Sequence, residues 1–182
     1  MITRMGTFRW AIWVGWAVTT VGSGLYILFD VNTRTIMWAS ALSIFGLGSG
    51  MVLSSLNFAI QAIVKTEDAG RAASMYAFMR SIGMTIGVAA GGTIFQNFMK
   101  AKLTEFGLPG TIAKNAEAYV SIMKTLAVDD PTRVHALQAY VHGFKGVFEV
   151  MTALSGVAFV VSLAIRHYDM DKILESKYKL AR

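Results

Sequence analysis

Cysteine is absent from the 182 residues, which excludes disulfide bonds and thiolate metal sites. Charged residues are also scarce, at 15% of the sequence against about 25% in a typical soluble domain. The three histidines lack a metal-binding spacing such as HExxH, and no hydrolytic triad, phosphate-binding loop or pair of metal-binding carboxylates is recognisable. The sequence therefore predicts no enzyme, no metal and no cofactor.

Long apolar stretches take up most of the chain, and 54% of the residues are hydrophobic. A bilayer core about 30 Å thick requires roughly 20 apolar residues in a helix. Four stretches meet this length: residues 10–29, 36–64, 72–98 and 144–165. The remaining polar sequence is too short to wrap four such helices in water. We therefore predict an all-α membrane protein with four transmembrane helices in a lipid bilayer.

The net charge of +6 is concentrated beside the predicted helices. Lysine and arginine occur in the N-terminal flank, the second connection and the tail, residues 166–182, whereas the first connection holds only Arg34. The positive-inside rule then places both termini in the cytoplasm and the long loop, about residues 100–142, outside. Within this loop we predict amphipathic helices at 113–126 and 131–141. Membrane orientation accounts for the basic excess, so no nucleic-acid partner is predicted.

The second predicted helix carries a polar face formed by Ser54, Asn57 and Gln61. Asn57 and Gln61 are one turn apart and share a side of the helix. An amide facing lipid would leave its donors and acceptors unpaired, so this face should point towards protein or water. It either lines a substrate or water cavity or forms hydrogen bonds between helices, and both interpretations stay open.

Two further candidates are charged residues inside predicted helices. Arg80 lies deep in the third helix, where it either meets a partner on another helix or extends to the interface. Glu149 is spaced four residues from Lys145, so we expect the two to pair. The alternative for Glu149 is proton transfer in a transport cycle.

Glycines spaced by four predict close helix packing. Gly83, Gly87 and Gly91 form a smooth stripe on the third helix, and Gly46 and Gly50 form one such pair on the second. The alternative is the general enrichment of glycine in membrane helices.

Several short motifs resemble the fungal fourteen-helix drug:proton antiporter branch of the major facilitator superfamily. The motifs are RMGTFR at 4–9, GSGL at 22–25, GLGSG at 46–50, Gln61-Ala62, Asp68, RSIGMTIGVA at 80–89 and GTIFQN at 92–97. The likeness is strong over about residues 1–103, whereas the long loop and the last helix match in layout only.

This resemblance implies that residues 1–182 are the C-terminal transmembrane region of a longer transporter, with its last four helices. The second helix would line the central cavity, and the third would lie between the two halves. The N-terminal helices, which carry the family's proton-coupling motifs, are absent. We therefore expect a fragment, inactive alone, of an exporter of drugs, toxins or other small molecules. Its partners would be the missing helices, protons and substrate, in the plasma membrane or alternatively the vacuolar membrane. A stand-alone four-helix partner or regulator is the other interpretation.

Overall fold

The computed structural model describes residues 9–31, 33–127 and 129–164, and this part of the chain is helical without strands. The helices are α1 Arg9–Ile27, α2 Thr35–Ile63, α3 Ala69–Glu105, α4 Thr111–Lys114, α5 Ala116–Thr125 and α6 Pro131–Leu163. The basic motif at 4–9 begins outside the described residues, and the predicted tail lies outside them entirely.

Four of these helices, α1, α2, α3 and α6, are long and apolar enough to cross a membrane, which confirms the predicted fold class. Helix α3 has 37 residues. At about 1.5 Å per residue it is about 56 Å long, so it exceeds a hydrocarbon core of about 30 Å. Its ends therefore extend into the polar regions beside the membrane.

The last spanning helix begins much earlier than predicted. The amphipathic segment 131–141 is not separate but forms the first turns of α6. Asp130 caps this helix by accepting a hydrogen bond from Thr132 N, 2.7 Å away, and Pro131 occupies the first turn. This bond holds the pKa of Asp130 below its ordinary value. Gly143 does not break the helix, because its missing side chain makes room for Phe95.

Helix α3 also continues beyond its predicted end near residue 98. It stops at a Schellman motif, in which Gly107 adopts a φ of +72°. Gly107 N donates to Thr104 O at 3.0 Å, and Leu108 N donates to Leu103 O at 2.9 Å. The long loop is therefore shorter than predicted and contains α4 and α5, which define the loop end of the bundle.

Helices α1 and α2 cross at very short range. A Cβ atom on Gly48 would lie 2.6 Å from the backbone nitrogen of Thr19, and one on Gly22 would lie 2.8 Å from the Phe45 backbone. A Cβ on Gly15 would likewise meet the α2 backbone nitrogen at 3.1 Å. Only glycine allows the two backbones to approach this closely, as in other membrane helix pairs.

Helix α1 packs on α6 through polar contacts. Trp13 Nε1 donates to Ser162 O at 2.9 Å, and Thr152 Oγ1 donates to Ser23 Oγ at 3.1 Å. These bonds lie at two levels along the helices, so α1 is held between α2 and α6. We call α1, α2 and α6 the three-helix unit.

Helix α3 joins this unit mainly at the loop end. The Phe95 ring packs against Gly143, and the Phe98 ring packs against Gly146. The segment containing α4 and α5 covers this contact, since Tyr140 Oη on α6 donates to the carbonyl of Ala116. The N-terminal part of α3 takes no part in this contact with α6, so other contacts determine its position.

Candidate functional site

The polar face of α2 lies opposite the face that packs on α1. Ser54 and Gln61 are exposed, and Asn57 between them is half-buried. The packed face consists of residues that the neighbouring helices bury: Ala41, Gly48, Val52, Ser55 and Ala59. The three predicted cavity residues therefore point away from the three-helix unit, as an amphipathic helix beside a polar space requires.

The two amides on this face bind each other, because Gln61 Nε2 donates to Asn57 Oδ1. This bond satisfies the Asn57 oxygen from within the same helix. The amide nitrogen of Asn57 has no partner in the described part of the chain. Asn57 therefore presents two hydrogen-bond donor positions to its surroundings.

A groove between α2 and α3 brings Asn57 and Arg80 together. Its volume is about 320 Å³. The residues that line it are Asn57, Ala73, Tyr76, Ala77, Arg80, Ser81 and Met84. Tyr76 Oη donates to Leu53 O at 3.1 Å and so links the two helices beside the groove. Sequence reasoning placed the two candidates on separate helices and did not predict that they share one cavity.

Arg80 is exposed, and among the described residues it makes neither a hydrogen bond nor an ion pair. Its neighbours Ser81 and Thr85 differ, because each hydroxyl donates to the carbonyl four residues earlier. Helix α3 therefore satisfies these two hydroxyl groups itself, but it gives the guanidinium no partner within the described chain.

Glu149 lies apart from this groove. It follows Phe148, whose ring stacks on Tyr26 at a centroid distance of 4.3 Å, close to the end of α1 at Ile27. Glu149 is exposed, and the expected ion pair with Lys145 is not formed within the described chain. A pair at this spacing on an exposed helix gains only about 0.3–0.5 kcal/mol, which is too little to hold both side chains.

The glycines predicted to pack helices have open surroundings. A Cβ atom at Gly46, Gly50, Gly83, Gly87 or Gly91 would have no atom of the described residues within 4 Å. Gly87 and Gly91 border an apolar cleft of about 400 Å³ between α3 and the three-helix unit. The close backbone contacts belong instead to Gly15, Gly22 and Gly48, which the sequence did not single out. Close contacts with aromatic rings belong to Gly143 and Gly146 on α6. The signal was present, since Gly15 and Gly22 lie about two turns apart on the same face of α1.

Fungal transporters match the chain over nearly its whole length. MFS transporter L2 of Phoma sp. is 38% identical over 174 residues, which are 93% of this chain and 29% of that protein. MFS-type transporter sphD of Aspergillus fumigatus is 30% identical over 179 residues, 93% of this chain and 31% of that protein.

MFS-type efflux pump LUC4 of a Fusarium species is 28% identical over 186 residues, 98% of this chain and 33% of that protein. The chain thus spans between 29% and 33% of the length of these curated relatives. No family profile matches the chain, and no solved structure matches it.

Proposed function

We propose, since the chain belongs to the major facilitator superfamily, that it forms the C-terminal part of a proton-coupled exporter of drugs, toxins or other small molecules. The sequence resemblance to this superfamily is confirmed by the fungal relatives, whose names describe transporters and efflux pumps. Transporters of this kind bind substrate near the membrane midplane, between two halves that rock against each other. A chain with four spanning helices supplies only part of such a machine.

The observation that carries this proposal is the bare middle of α3. Every residue from 77 to 90 is exposed, around the whole circumference of the helix. Lipid can cover the apolar side chains of this stretch, but a charged arginine in the bilayer costs about 2.5–3.5 kcal/mol on insertion scales and more in simulations. Arg80 therefore favours neighbours that the described chain does not contain.

The remaining candidates take roles consistent with this arrangement. Ser54, Asn57 and Gln61 would line the central cavity, because they face away from the three-helix unit. The glycine stripe of α3 would pack against helices of the rest of the transporter. Arg80 and Glu149 are the charged residues that we assign to coupling or to contacts between helices.

The protein is an integral membrane protein, as its four apolar helices and its relatives indicate. Within the cell we propose the plasma membrane, with the vacuolar membrane as the alternative. Export from the cell requires the former, and sequestration in the vacuole requires the latter.

A chimera tests the transport role. The matching 174-residue segment of MFS transporter L2 is replaced by this chain, and dye efflux is measured in a host lacking its own drug exporters. We expect proton-dependent efflux by the chimera and none above background by this chain alone, since it lacks the other half of the alternating-access machine. Robust efflux by the chain alone would contradict the fragment assignment. A chimera that reaches the membrane but exports none of the compounds that its parent exports would contradict the transport role.

A second candidate function is a stand-alone membrane protein that binds or regulates another one. The packing of the three-helix unit favours it, because α1, α2 and α6 hold together without further helices. This candidate predicts a transcript that starts at Met1 and a stable complex with a second membrane protein. Sequencing of the native transcript separates the two candidates, since a longer frame encoding about ten more spanning helices supports the exporter.

A further inference from the structure

We propose that the groove between Asn57 and Arg80 binds the anionic group of a small amphipathic molecule, such as an aromatic carboxylate. The site itself is built from two helices of this chain. That the bound anion is an exported compound rests on the proposed function. We identify the ligand group as a carboxylate from the charge of the side chains that line the groove and from the hydrogen-bond donors and acceptors that each of them leaves free.

Donors predominate among the free polar groups of the groove. Arg80 contributes five N–H donors, and Asn57 contributes its amide nitrogen because its oxygen already accepts from Gln61. Ser81 Oγ and Tyr76 Oη donate their hydrogens to backbone carbonyls. No carboxylate lines the groove as the structure describes it. A ligand carrying negative charge therefore matches the groove, and a cation does not.

The groove has room for a ligand larger than the carboxylate group of one protein side chain. Ala73 and Ala77 line it with small side chains, and its volume of about 320 Å³ corresponds to roughly ten waters at about 30 Å³ each. These alanines and Met84 supply an apolar surface beside the charge. An amphipathic ligand can bury its apolar part there while its carboxylate accepts two parallel hydrogen bonds from Arg80.

The position of Arg80 makes the charge available to a ligand. Arg71, about two turns earlier on the same helix, forms an ion pair at 3.5 Å with Asp68, the residue just before α3, and this pair lies outside the groove. Arg71 therefore carries the same charge on the same helix but has its own carboxylate. This difference supplies a matched control for the experiment.

The test measures ligand binding to this chain in nanodiscs of phosphatidylcholine by ligand-observed NMR. The probes are 2-naphthoate, neutral 2-naphthamide and cationic 2-naphthylmethylammonium. We expect the naphthoate to bind about tenfold or more tightly than the amide, which is 1.4 kcal/mol or more at 25 °C. Arg80→Gln should abolish this preference. Arg80→Lys should keep only part of it, because lysine cannot form the bidentate pair. Arg71→Gln, the control, should keep the full preference.

Three results would overturn the proposal. The first is equal binding of naphthoate and naphthamide by the unaltered chain. The second is an unchanged preference in Arg80→Gln, with circular dichroism confirming that both proteins are folded. The third is loss of naphthoate binding when the discs contain phosphatidylglycerol, which would assign the groove to a lipid headgroup.

Efflux by the chimera is measured separately, so the two proposals can fail independently. Preferential naphthoate binding by a chain whose chimera does not transport would leave the anion site and remove the export role. Efflux by the chimera without any preference for the anion would leave the export role and remove the anion site.

Discussion

The three-helix unit and helix α3 are both able to span a membrane, yet they differ in packing along the middle of the helices. In the most apolar window of α1, 39% of the residues are buried, whereas none are buried in that of α3. Both regions carry glycines spaced along one face. In the unit Gly15, Gly22 and Gly48 meet the backbone of a neighbouring helix, whereas Gly46 and Gly50 of the unit and the stripe of α3 meet no described atom within 4 Å. A glycine stripe therefore indicates the capacity for close packing, and the neighbour decides whether that capacity is used.

Serine and threonine hydroxyls in both regions donate mainly to carbonyls of their own helix. Side chains also reach other helices in both regions, through Trp13 and Thr152 in the unit and through Tyr76 on α3. Arg80 differs from all of these, because it has no partner in the described chain. The unit thus resembles a finished assembly, whereas α3 presents a surface that is suited to further contacts.

The largest effect on this contrast should come from Gly48→Ala. The new Cβ atom would lie 2.6 Å from the backbone nitrogen of Thr19, so α1 and α2 must separate. We expect a loss of about 1–3 kcal/mol in the free energy of unfolding, as for other overpacked sites. The measurement is SDS-induced unfolding of the purified chain, followed by circular dichroism. Gly50→Ala is the control, because its Cβ meets no atom within 4 Å in the part of the chain that the structure describes. Equal stability of the two variants would mean that the α1–α2 crossing is not close.

A smaller effect is expected from Trp13→Phe, which removes the hydrogen bond to Ser162 O. We predict a loss of about 0.5–1.5 kcal/mol, the usual net value of one such bond. Trp10→Phe is the matched control, because the buried Nε1 of Trp10 has no hydrogen-bond partner among the described residues. The same unfolding measurement serves for both variants. If Trp10→Phe were the more damaging change, the contact between α1 and α6 would need a different description.

The smallest effect in this chain should come from Gly87→Ala. Its Cβ would meet no described atom within 4 Å, so stability should not fall and should rise by about 0.5–1 kcal/mol at most, the helix-propensity gain of alanine over glycine. In the chimera, the same substitution should reduce efflux, because the stripe would then face other helices. Gly70→Ala is the control on the same helix, since its Cβ also enters open space but lies off the stripe. Unimpaired efflux by the Gly87→Ala chimera would argue against packing at this face.

Much of the architecture follows from local patterns in the sequence. The four apolar runs predicted the four spanning helices because insertion depends mainly on the length and hydropathy of each segment. The spacing of Asn57 and Gln61 predicted a shared face, since residues four apart lie one turn above each other. Their mutual hydrogen bond is in keeping with this prediction.

Other features were missed because they depend on a second element. The start of α6 at Pro131 is one of them, because the mixed apolar and polar residues at 131–141 predict a separate amphipathic helix, whereas in the structure they form the first turns of α6, with Phe95 packed beside Gly143. The predicted pair of Lys145 and Glu149 had the correct spacing but too little energy to form. Spacing along one helix predicts which side chains are neighbours, but it does not predict which of these neighbours form a contact.

Gly48 and Gly50 show most clearly where the limit lies. They belong to the same short motif but lie on opposite faces of α2, and the spacing by four favours Gly50 rather than Gly48 as the packing residue. The sequence by itself determined the number and type of the spanning helices and their apolar and polar faces, because these are properties of single segments. Only the tertiary structure decided that Gly48 touches α1, that Gly50 does not, and that Arg80 shares a groove with Asn57. These outcomes depend on where two helices cross, and the crossing is set by the combined shapes of both surfaces.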